Sequence, residues 1–117
     1  MPADQPTIEA AINASVNGDV IQVGLGTIYE SNIDTIGKAI TIQGTVNSDG
    51  SLATSINAQH DGNVFVINSG ESSRTMIKDL AITGGTASFG SYGGGIYCDG
   101  SSPTISGCTI SNNMANN

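Results

Sequence analysis

Apolar residues along this chain come in short bursts that alternate with polar ones, rather than recurring every third or fourth position. Val20-Ile-Gln-Val23, Thr27-Ile-Tyr-Glu30, Lys38-Ala-Ile-Thr-Ile-Gln43, Thr54-Ser-Ile-Asn57, Val64-Phe-Val-Ile67 and Thr75-Met-Ile77 each read as a brief strand. Turn clusters such as Asn47-Ser-Asp-Gly50 and Asp61-Gly-Asn63 separate them. Residues 91–113, SYGGGIYCDGSSPTISGCTISNN, hold three more runs over 95–98, 103–106 and 108–112. One helix is predicted, within 7–17. Ile8, Ala11, Ile12 and Val16 share a stripe, Thr7 can cap it, Glu9 lies in the first turn, and Asn17-Gly18 stops it.

The strand pattern repeats. Ile77-Lys-Asp-Leu80-Ala-Ile82-Thr returns as Ile105-Ser-Gly-Cys108-Thr-Ile110-Ser, an offset of 28 residues. The marker isoleucines Ile28, Ile56, Ile82 and Ile110 are spaced by 28, 26 and 28. Near-constant intervals with variable corners predict an all-β solenoid of about four coils over 19–113, with isoleucine stacked on isoleucine along one axis. At one strand spacing per coil such a stack rises only about 15–20 Å. The helix would cover the first coil, whose apolar interior and unpaired strand edges would otherwise face water.

Length and charge narrow the picture. At 117 residues the chain reads as a single domain, 1–117. The net charge is −7 and the only Lys and Arg are Lys38, Arg74 and Lys78, so no basic stripe is available for nucleic acid or an anionic membrane. No apolar run approaches the ~20 residues of a membrane helix, and the first residues lack the charged start and apolar centre of a signal peptide.

The run GGGIYCDGSSPTISGCTISNN resembles the repeat of right-handed parallel β-helix proteins of the pectin-lyase-like class, of the bacterial surface and secreted type. PTIEAAINASVNGDVIQVGLGTIYESNI followed by GKAITIQG resembles the capping helix and first coils of the same proteins. The resemblance implies a right-handed parallel β-helix with an N-terminal capping helix, an extracellular or cell-surface setting, and often binding of, or action on, polysaccharide.

Enzymes on such a frame need carboxylates gathered one coil apart. Asp34, Asp49, Asp61, Asp79 and Asp99 each sit in a turn signal, at intervals that do not share the repeat. They read as turn residues bonding their own backbone. His60 stands alone in a loop, and Arg74, the only Arg, reads as a corner residue. No catalytic group, metal or cofactor is expected. Cys98 and Cys108 fit no metal spacing. Cys108 occupies the place of Leu80 one coil earlier, so both read as small inward-facing hydrophobes, with a disulfide as the alternative.

Two surfaces remain. The long Gly/Ser corner over 84–94 carries Phe89 and Tyr92 and leads into Tyr97, three aromatics suited to stacking on sugars. The last coil leaves Ile105, Cys108, Ile110, Asn112 and Asn113 on an edge, with the Asn amides waiting for partners from a further coil. The expected function is a non-catalytic scaffold or recognition module toward carbohydrate that forms a homo-oligomer through its C-terminal coil. The alternative is a piece of a polysaccharide lyase or glycoside hydrolase.

Overall fold

The computed structural model describes residues 7–86, 95–98, 100–110 and 113. Among these the chain forms strands of two to four residues, each too short to stand alone: β1 (Val20–Gln22), β2 (Gly26–Tyr29), β3 (Ile33–Asp34), β4 (Thr41–Gln43), β5 (Thr54–Asn57) and β6 (Phe65–Ile67). They are followed by β7 (Met76–Lys78), β8 (Ala81–Thr83), β9 (Ile96–Cys98), β10 (Thr104–Ser106) and β11 (Thr109–Ile110). Every strand pairing is parallel, and strands three apart in sequence become neighbours: β1-β4-β7-β10, β2-β5-β8-β11 and β3-β6-β9. A chain that passes through three sheets in turn and returns above its starting point is a parallel β-helix.

The pairing places the apolar residues in columns. Ile28, Ile56, Ile82 and Ile110 lie in register in one sheet, as their spacing predicts. Ile21, Ile42, Ile77 and Ile105 do so in a second, although they are 21, 35 and 28 residues apart. Ile33, Phe65 and Ile96 form the third column. Column geometry is therefore constant while corner length varies. The excursion over 44–53, closed by an antiparallel bridge between Val46 and Leu52, absorbs extra residues without disturbing the stack. Each interior Ile or Phe removed from water contributes about 1.5–3 kcal/mol, and the columns supply nearly half of the core.

The corner after the first sheet shows why particular residues are needed. Asp79 and Gly107 occupy equivalent places one coil apart and both are left-handed, at φ 59° and 67°. Gly44 lies one coil below Asp79, where a Cβ would fall 2.2 Å from the Asp79 carbonyl oxygen and 2.7 Å from Leu80 Cδ2. Only a residue without a side chain lets the next corner sit this close.

The single helix among the described residues, α1 (Ile8–Ala14), has seven residues, too few to be stable alone. The first coil holds both of its ends. Thr7 accepts from Ala10 N–H, and the Glu30 carboxylate accepts Ile8 N–H at 3.0 Å and Glu9 N–H at 2.9 Å. Lys38 Nζ donates to the carbonyls of Ile12, Asn13 and Ser15 at the other end. An anion at the N-terminus and a cation at the C-terminus oppose the helix dipole as well as satisfying its end groups.

The helix is shorter than the sequence predicts. It ends at Ala14 because Ser15 turns extended and donates its hydroxyl back to Ile12. Val16, expected on the buried stripe, is 66% exposed. Asn17 does not simply end the helix, since its amide oxygen accepts from Ala39 N–H in the next strand region.

Candidate interaction end

The two ends of the coil are finished differently. At the N-terminal end α1 lies against β1 and β3, burying Ile8, Ala11 and Ile12 over the columns of Ile21 and Ile33. At the other end β9, β10 and β11 are each the last strand of their sheet. The columns open there: Ile77 and Ile82 are fully buried, whereas Ile105 and Ile110 directly above them are 41% and 49% exposed. Among the described residues this end therefore presents edge-strand backbone groups and exposed isoleucine.

Among the residues expected on this edge, Cys108 is half-buried and packs against the core, as its alignment with Leu80 implies. Its thiol lies within donor reach of the Ile77 and Ser106 carbonyls. Cys98 pairs in register with Ile67 but is exposed because it belongs to the outermost layer, which corrects the expectation that both cysteines are interior. Both are free thiols, so the alternative disulfide is not formed. Burial pushes both thiols up, helped by the Glu71 charge for Cys98 and, more weakly, by Asp79 for Cys108. Neither is therefore a ready thiolate.

Asn113 corrects a further expectation. Its side chain does not wait for another coil: Oδ1 accepts from Gly85 N–H at 2.7 Å and Nδ2 donates to the Ile82 carbonyl at 3.0 Å. It closes the last layer onto the one beneath. Asn112, Phe89 and Tyr92, like Asp99, lie outside the described residues. Tyr97 is half-exposed and stands in register with Val66 on the outer side of β9.

Three of the aspartates are occupied locally. Asp34 accepts from Ile36 N–H, Asp49 from the N–H and hydroxyl of Ser51, and Asp19 from Val16 N–H. The two Ser51 bonds lower the Asp49 carboxyl below its usual range. Glu9 accepts from Asp34 N–H, and burial, with Asp34 and Glu30 nearby, raises its carboxyl. His60 is exposed and its Nδ1 lies 3.2 Å from the Thr86 hydroxyl across two neighbouring corners.

The sequence did not point to the most deeply held carboxylate. Glu71, 4% exposed, accepts from the Thr35 hydroxyl, Gly37 N–H, Ser69 N–H and the Ser101 hydroxyl. All four donors are neutral. Burial opposes its charge, yet these donors together hold the carboxyl at about 2. It sits in what reads as an ordinary polar break, and its partners are up to 36 positions away.

Compared with protein-family models, curated proteins and solved structures, the chain gives no significant match.

Proposed function

We propose that this chain is a non-catalytic β-helix scaffold of the pectin-lyase-like type, in an extracellular or cell-surface setting, that recognises carbohydrate and associates with a second copy through its uncovered end. The observation that carries the reading is the contrast between a helix-covered first coil and a last coil with Ile105 and Ile110 bare. Isoleucines exposed on edge strands are suited to contact. The absence of catalysis is supported by how the acidic groups are used: Glu30 holds the helix start, Glu71 joins coils, and Asp34 and Asp49 close their own turns. Tyr97, half-exposed on the outer side of β9, offers an aromatic ring of the kind that stacks on sugars.

Affinity electrophoresis through gels containing neutral or uronate polysaccharides, with and without Ca²⁺, tests the reading. Retardation by at least one glycan, weakened by Tyr97→Ala and without release of new chain ends, is expected. Appearance of reducing ends or unsaturated sugars would instead establish a hydrolase or lyase.

A further inference from the structure

We propose that the hollow at the entry to the first sheet binds a small zwitterion of the dipeptide kind, with its carboxylate on Arg74 and its ammonium on Asp19. The site lies on a different sheet from Tyr97 and is independent of the carbohydrate reading.

The register makes the hollow. Counting back two residues from the paired Val20, Thr41 and Met76 brings Gly18, Ala39 and Arg74 to matching places on three successive coils. Gly18 has no side chain and Ala39 a single carbon, so the surface is low between the longer side chains of Asn17 and Asp19 on one coil and Arg74 and Met76 two coils on. The space they line is about 460 Å³. Small-molecule sites occupy roughly 300–1,000 Å³.

The backbone around it is already committed. Gly18 N–H donates to the Ala39 carbonyl and Thr41 N–H to the Asp19 carbonyl, which leaves recognition to side chains. Asp19 Oδ2 accepts from Val16 N–H, and Asn17 Oδ1 from Ala39 N–H, so Asp19 Oδ1 and the Asn17 Nδ2 donors remain for a ligand. Among the described residues the Arg74 guanidinium has neither a hydrogen-bond nor an ion-pair partner, whereas Lys38 is spent on the helix carbonyls. One cavity thus holds a guanidinium and a carboxylate that do not pair with each other. A ligand carrying one charge meets an opposing group of its own sign, and a ligand carrying both satisfies each end.

Spacing and floor narrow the class. Asp19 and Arg74 stand on coils two apart, about 10 Å by strand spacing. The two ends of a dipeptide match that separation better than the amine and carboxylate of one amino acid. Ala39 and Met76, both half-buried, give an apolar patch between the charges for a side chain to rest on.

Titration of the full chain with glycyl-leucine, followed by the backbone amide resonances, tests this. Saturable shifts centred on Gly18, Ala39 and Thr41 are expected. N-acetyl-glycyl-leucine and glycyl-leucinamide, which each lack one charge, should bind about tenfold more weakly or worse. Arg74→Met and Asp19→Asn should each weaken glycyl-leucine to the same extent, the asparagine keeping an acceptor for Val16 N–H. The blocked peptides are compared on the unaltered protein, so the outcome stands even where a variant folds poorly. Equal binding of blocked and free peptides, shifts centred on other residues, or no saturable shift would each overturn the proposal.

Discussion

Glu71 and Ser101 hold each other twice: the Ser101 hydroxyl donates to Glu71 Oε1 at 3.0 Å, and its oxygen accepts the Glu71 backbone N–H at 3.1 Å. The other carboxylate oxygen takes the Thr35 hydroxyl and Gly37 N–H, so one side chain ties three successive coils together. A carboxyl held at about 2 when folded, against 4.5 otherwise, contributes stability that is present above 4.5 and lost as pH falls toward 2. The loss is up to about 3 kcal/mol. Glu9 is shifted the other way, so its share is present below 4.5 and lost as pH rises. Denaturant melts at pH 5 and pH 2.5 should show the fall, and Glu71→Gln should be less stable at pH 5 with a shallower acid slope. Parallel slopes for the two proteins would refute the assignment.

Lys38 lies 2.7, 3.2 and 2.6 Å from the carbonyl oxygens of Ile12, Asn13 and Ser15. Lys38→Met keeps the stem and removes the donors, and is expected to cost about 1–2 kcal/mol in a urea melt. An unchanged midpoint would mean that packing alone holds α1 in place.

Gly44→Ala sets a Cβ against the Asp79 carbonyl and the Leu80 side chain, neither of which can retreat without moving a corner. About 3 kcal/mol of lost stability is expected, near the upper end for overpacking. Gly24→Ala is the matched control, since a Cβ there meets nothing within 4 Å. Equal effects of the two would show that lost backbone freedom, not the close approach, decides the cost.

Ile36 sits at φ 48°, a conformation that β-branched residues seldom adopt, with its side chain partly in solvent. Asp34 Oδ1 accepts its N–H, and Glu71 holds the following Gly37, so the neighbours impose the bend. Ile36→Gly should stabilise the protein by about 1 kcal/mol, raising Tm by roughly 4 °C. A lower Tm would show that the part of Ile36 that is buried matters more than the strain.

What the residues revealed in advance depended on how far their causes reach. Ile28, Ile56, Ile82 and Ile110 announced their column because an interior position on each turn of a coil must be apolar and turns of similar length space those positions evenly. The column through Ile21 and Ile42 was hidden by uneven corners. β3 was not legible, being two residues set between the left-handed Asn32 and Ile36, too short for alternation to register. Glu30, Lys38 and Glu71 looked like ordinary polar residues, since all their partners but Ser69 lie 21 to 36 positions away and no local pattern records them. The return of Asn113 to Gly85 was not legible either, because it depends on where the corner carries a backbone N–H.

The columns also bear on how such a chain can change in length. In two of the three columns each interior layer presents isoleucine above and isoleucine below at matching positions, so a copied segment of one turn would meet surfaces it largely fits. Growth by internal duplication then needs no redesign of neighbouring layers, while the layer under α1 must be specialised to receive a helix.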